Sequence, residues 1–102
     1  MLIYNTTYIV ENEQEQNFCI WLHEVLIPET SKADCGLQCP RLCRLLSHRD
    51  EGSTAYCLEW KVESTALLHR WHLSRGIHFA NERKKIFGEK VLIVESLLEE
   101  IE

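Results

Sequence analysis

Three cysteines, Cys35, Cys39 and Cys43, recur every four residues, and His48 follows shortly after. Thiolates and an imidazole are zinc ligands, so the spacing raises a metal site. Structural zinc sites hold their ligands in tight knuckles, whereas residue 43 falls in a segment that reads as a strand. Free thiols are the simpler account, and no metal is expected. His69 and His72 stand at i and i+3 of a helical stretch, the spacing of one edge of a metal site. No third ligand accompanies them, and solvent-facing histidines account for the pair. Arg44 and His48 share one side of the second predicted strand. If that side lines a cavity, they could bind an anion or move protons, with Asn5 joining them from the first strand. Asn5, Arg44 and His48 are therefore the candidate ligand-binding residues; polar residues at a dimer contact explain them more simply. Arg83-Lys84-Lys85 reads as a solvated helix end. There is no Gly-rich phosphate loop and no nucleophile elbow. No catalytic residue and no cofactor is assigned.

The elements that must position these residues follow from periodicity. Residues 2–10 are rich in β-branched and aromatic types, a strand. Asn12 opens a helix, and Glu15 can complete a capping box with it. Phe18, Trp21, Leu22, Val25 and Leu26 then form one apolar stripe. Pro28 lacks an N–H and should end or kink this helix near Ile27. Residues 31–40 read as a loop and 41–49 as a second strand. Asp50-Glu51-Gly52-Ser53 is a hairpin turn, with Gly52 expected to supply a positive φ. Residues 54–62 alternate most cleanly, with Tyr56, Leu58, Trp60 and Val62 on one face and Cys57, Glu59 and Lys61 on the other. Ser64 caps a second helix carrying Leu67, Leu68 and Trp71. Gly76 is a possible break, Phe79, Ile86 and Phe87 resume the stripe, and Gly88 is a C-terminal stop. Residues 90–98 form the last strand, and an acidic tail follows.

The order β-α-β-β-α-β predicts an α+β, ferredoxin-like sandwich: one domain over residues 1–102, a four-stranded antiparallel sheet with both helices on one face. Strands one and three should be central. Glu59 and Lys61 are poor core residues, so the row Tyr56, Leu58, Trp60, Val62 should face the helices, together with Leu2, Tyr4, Thr6, Tyr8 and Val10. The facing of strands two and four stays open. The last strand is apolar on both sides, which predicts cover on both and a homodimer through the open sheet face.

Composition narrows the partners. The 102-residue chain carries 11 basic and 16 acidic residues, a formal charge of −5. That field repels phosphate backbones and anionic lipid heads, so neither nucleic acid nor membrane is expected. The RNA-recognition module shares this strand order, but it stacks bases on open-face aromatics, and Tyr56 and Trp60 are expected inside. The longest apolar run, Val91-Leu92-Ile93-Val94, is strand-sized. The N-terminus has neither the basic region nor the cleavage site of a signal peptide, so the fold is expected to begin at residue 1. Five cysteines, an odd number, fit reduced thiols in a cytoplasm.

The opening Met1-Leu-Ile-Tyr-Asn-Thr-Thr, the helix from Phe18 to Glu29 and the strand Arg41-Leu-Cys-Arg-Leu-Leu resemble a bacterial group, domain-of-unknown-function family 4286. The hairpin Glu51-Gly-Ser-Thr-Ala-Tyr and the closing Phe87-Gly-Glu-Lys-Val extend the resemblance over nearly the whole chain. It implies a dimeric α+β-barrel relative of the ferredoxin-like fold in bacterial cytoplasm, and it brings no catalytic residues. The cysteines of residues 35–43 lie outside the pattern. Three functions follow as expectations: a homodimeric module that binds a ligand or partner; a cofactor-independent enzyme, monooxygenase- or isomerase-like, using a pocket between sheet and helices; or a structural and regulatory interaction protein. An enclosed polar pocket with a convergent His or Arg would favour the enzyme.

Overall fold

The computed structural model describes residues 1–102, and the element order is β-α-β-β-α-β. Strand β1 (Leu2–Glu11) leads through a 3-10 turn (Asn12–Gln14) into helix α1. α1 covers residues 15–32 in three parts: α-helical over Glu15–Trp21, π-helical over Leu22–Leu26 and α-helical again over Ile27–Lys32. Strands β2 (Leu37–Arg44) and β3 (Ser53–Val62) follow. Helix α2, residues 65–87, repeats the three-part build: Thr65–Trp71, a π turn at His72–Gly76, then Ile77–Phe87. A 3-10 turn (Gly88–Lys90) precedes β4 (Val91–Glu99).

The sheet is antiparallel with order β2-β3-β1-β4, so strands one and three are central, as expected. The predicted helix-facing rows are the buried ones. Tyr4, Tyr8 and Val10 on β1 and Tyr56, Leu58, Trp60 and Val62 on β3 join one hydrophobic core with Phe18, Trp21, Leu22, Trp71, Phe79 and Phe87, and Thr6 is buried in the same β1 row. Register fixes the facing that periodicity left open. Val91, Ile93, Glu95 and Leu97 stand opposite Val10, Tyr8, Thr6 and Tyr4, so they take the helix side; Leu92, Val94 and Leu98 take the open side and are exposed.

Several local expectations are corrected. β2 starts at Leu37, inside the expected loop, and stops at Arg44 rather than residue 49. A register break between Gln38 and Arg41, with Cys39 at φ +53°, absorbs Pro40, which cannot donate to a ladder; β2 is an edge strand, where a bulge and a proline are tolerated. The capping box does not form. Asn12 instead clamps the β2–β3 hairpin: its Nδ2 donates to the Glu51 carbonyl (2.7 Å), and its Oδ1 accepts from Thr54 Oγ1 (3.1 Å). α1 runs through Pro28. The Ile27 N–H bonds the Leu22 carbonyl five residues back, so the proline opens a new α-helical segment, where a missing donor costs least. α2 likewise continues through Gly76 at φ −60°. Gly52 does not take a positive φ; Asp50 builds the turn by accepting from the Gly52 N–H (3.1 Å) and from Ser53 Oγ (2.8 Å). Ser64 caps α2 through Leu67 N–H (3.2 Å), and Gly88 stops it at φ +58°, as the sequence suggests.

Candidate functional site

The two π turns face the same space. Each follows a tryptophan directly, Trp21 in α1 and Trp71 in α2. Neighbours on an α-helix diverge by about 100°, and a π turn widens the helix locally. Trp71 and His72 thereby both line one cavity of about 220 Å³ between the helices and the β1–β4 half of the sheet. β1 contributes Tyr4, Thr6 and Tyr8, β4 contributes Ile93 and Glu95, and α1 contributes Trp21 and Leu26. From α2 come Trp71, His72, Phe79 and Arg83. Gly76 lets the Trp71 ring lie against the helix backbone: a Cβ there would stand 3.0 Å from Trp71 Cζ3.

The cavity has two unlike ends. At the water-facing end, His72 Nε2 lies 3.2 Å from the Tyr4 hydroxyl and 3.3 Å from Glu95 Oε2. The side chains of His72 and Glu95 are 36% and 42% exposed. At the inner end, Tyr8 and Arg83 are 5% and 7% exposed. Arg83 makes one hydrogen bond, a long one from Nη1 to the Val91 carbonyl (3.5 Å), and none of the chain's ion pairs includes it. The Trp71 indole N–H is buried and has no acceptor. Burial pushes the Tyr4 and Tyr8 hydroxyls above the usual phenol range, and the Arg83 charge partly offsets the shift at Tyr8. Between the ends the walls are aromatic: Tyr4–Trp71, Trp71–Phe79 and Trp21–Phe79 have centroid separations of 6.0, 6.4 and 6.4 Å.

The sequence-derived candidates lie elsewhere. Arg44 and His48 line a shallow cleft by the β2–β3 hairpin. Arg44 stands 3.8 Å from Glu15 and over the Tyr56 ring; His48 Nε2 lies 2.8 Å from Ser53 Oγ, in a turn beyond the end of β2. Asn5 is not with them. It sits on the open face opposite Glu59 and Ser96, with its Nδ2 donating to Thr7 Oγ1 (3.3 Å), while Arg44 pairs with Tyr56 on the helix side. Cys35, Cys39 and Cys43 do not gather with His48. Cys43 faces Cys57 across the open side of the sheet. His69 is exposed, while its neighbour one turn on, His72, lines the cavity. Two cavity residues are of kinds that the sequence places at the surface, His72 as a solvent-facing histidine and Arg83 as part of a solvated helix end. One signal was present: 50 residues before Trp71-His72 stands Trp21-Leu22, and Leu22 is fully buried. A histidine at the matching place of the second β-α-β half points inward.

No helix is long and apolar enough to cross a membrane. No curated protein matches the chain in sequence. Solved structures share its fold. A protein of Deinococcus radiodurans, provisionally named an antibiotic biosynthesis monooxygenase, is 16% identical with a TM-score of 0.71, over all of this chain and 94% of that one. An ethyl tert-butyl ether d (ethd) family protein of Bacillus halodurans is 17% identical with a TM-score of 0.67, over 99% of this chain and 100% of that one. A dimeric ferredoxin-like protein from an uncultured marine organism is 10% identical with a TM-score of 0.70, over 100% and 96%. At these identities the likeness is one of fold. The family described as "Domain of unknown function (DUF4286)" matches residues 1–101, and the chain belongs to it.

Proposed function

We propose that this protein is a homodimeric binding module that takes a small organic molecule into the cavity between its helices and the β1–β4 half of its sheet. The observation that carries the reading is the cavity itself: an aromatic-walled space between layers, with a buried cation and a His–Tyr–Glu cluster at its two ends. Ligand sites are concave, mostly apolar and furnished with a few convergent polar groups. Two neighbours of the same fold are described as dimeric, which supports the homodimer. So does the apolar open face of β4, where Leu92, Val94 and Leu98 are exposed. Asn5, on that open face, would then belong to the subunit contact rather than to the ligand site.

The test uses the three indole N–H signals in a nitrogen–proton correlation spectrum. Trp21 and Trp71 line the cavity and Trp60 does not. Titration with a panel of neutral and charged single-ring compounds should shift the Trp21 and Trp71 signals saturably and leave Trp60 in place. If no compound shifts either signal at millimolar concentration, the binding role is wrong.

A second reading, an enzyme, is favoured by His72. Its Nε2 lies within reach of the Tyr4 hydroxyl and the Glu95 carboxylate, at the cavity end open to water. That arrangement can hand a proton to, or take one from, a bound molecule. The neighbour provisionally named a monooxygenase lends fold analogy only. In deuterated buffer, the enzyme reading expects faster exchange of an acidic C–H in a bound panel compound, lost in His72→Phe. Unaccelerated exchange in every compound that binds leaves the binding role alone.

A further inference from the structure

We infer that the cavity selects a molecule bearing one carboxylate on a single planar ring, with the carboxylate held by Arg83. This rests on the binding role proposed above and names the class of ligand. Arg83 is the first reason. Arg83 is 7% exposed, and its guanidinium, with five N–H donors, has a single long hydrogen bond and no carboxylate partner. A buried charge is costly unless paired, and a guanidinium fork matches the two oxygens of a carboxylate. The Trp71 indole N–H, buried on the same cavity wall without an acceptor, is a second unused donor.

Size and shape give the ring. A dry cavity of about 150 Å³ holds a benzene; this one, at about 220 Å³, has room for one ring and a substituent. Its walls are the faces and edges of Tyr4, Trp21, Trp71 and Phe79, suited to a flat partner. Charge limits the ligand to a monoanion. Arg83 is the only basic side chain in the lining apart from His72, and Glu95 lines the same cavity. Glu95 does not compete for Arg83. The guanidinium bonds the Val91 carbonyl and forms no ion pair with Glu95, whose backbone lies four residues further along β4 from Val91, roughly 13 Å at 3.3 Å per residue. A ring carboxylate can therefore seat its anion at the inner end while its far edge meets His72 and Tyr4.

Benzoate and benzamide, nearly identical in shape, test this on the unmodified full chain. Benzoate should shift the Trp71 indole signal with a Kd at least about tenfold below that of benzamide. Arg83→Gln should remove the difference, and Arg83→Lys, which keeps the charge without the fork, should recover part of it. Equal affinities in the unmodified protein, or a neutral ring that binds while benzoate does not, would overturn the carboxylate assignment and leave the binding role standing. If neither these two nor any other ring compound shifts Trp21 or Trp71, both fall together. The benzoate–benzamide comparison needs no substitution, so it decides the matter even if Arg83→Gln does not fold.

Discussion

A phenol ionises with difficulty where water is scarce, because the dry surroundings disfavour the anion. All three tyrosines of the chain, Tyr4, Tyr8 and Tyr56, are buried on the helix side, and burial pushes each above the usual phenol range. At Tyr56 the hydrogen bond to the Glu15 carboxylate adds to the shift. In the unfolded chain all three titrate near pH 10. The folded state holds its protons longer, so this part of the stability is full below about pH 10 and is lost as pH rises beyond it. Native protein at pH 10 should therefore show almost no tyrosinate absorbance. The signal should appear for all three together, at the alkaline unfolding transition; a gradual titration of one or more tyrosines in folded protein would contradict the burial. A second residue effect concerns Asn12, whose side chain spans the hairpin through Glu51 and Thr54 instead of capping α1. Asn12→Ala should cost about 1–2 kcal/mol in urea denaturation, for two lost hydrogen bonds. These residue roles were largely illegible in the sequence, because an Asn before a helix and a hydroxyl or carboxylate near it suit a cap or a tertiary clamp alike. Arg83 was hidden the same way. In Arg83-Lys84-Lys85 only the helical phase, set by the π turn upstream, decides which of three cations turns inward.

Strands and sheet order were legible because β1 and β3 are half-buried central strands, with a period-2 alternation that names the helix side directly. Edge strands were not. β2 carries a proline and a bulge, and β4 is apolar on both sides, so neither alternates cleanly. The helices were placed correctly, but both expected breaks, at Pro28 and Gly76, are places where the helix changes its hydrogen-bond phase instead of stopping. π turns of this kind are often found at functional sites, and here both border the cavity. The element-scale prediction follows at Gly76. An alanine there gains up to about 1 kcal/mol of helix propensity. Its Cβ would meet the Trp71 ring at 3.0 and 3.1 Å and the Trp71 carbonyl at 3.3 Å. Trp71 is held by Tyr4, His72 and Phe79, so it cannot yield freely, and overpacking of this sort costs about 1–3 kcal/mol. Gly76→Ala should thus lower the melting temperature and move the Trp71 indole signal while sparing Trp60. A higher melting temperature would show that the ring yields freely and that Gly76 is not there for packing.

At the scale of the whole molecule, one face of the sheet remains to be accounted for. Helices cover the other side, and the open side presents Ile3, Ile9 and Cys57 in part and Leu92, Val94 and Leu98 to about half of their surface (57%, 56% and 46%). Contiguous apolar surface on that scale marks an interface in most proteins. Charges complicate a simple stacking of sheets. Arg41 and Glu59 pair across β2 and β3 at 2.8 Å on the same face, so the apolar half lies toward β4 and the polar half toward β2. A two-fold axis near β1 and β4 would bury the first and leave the second at a wet rim, the arrangement of a polar-rimmed contact. Sedimentation equilibrium should accordingly give a dimer at micromolar concentration. Val94→Glu places a carboxylate in the centre of the apolar half, and a two-fold axis doubles its effect, so this variant should sediment as a monomer with its fold intact by circular dichroism. Arg41→Glu, at the predicted rim, should leave the dimer in place. A monomeric parent chain, or a dimer that Arg41→Glu breaks and Val94→Glu does not, would rule out this packing.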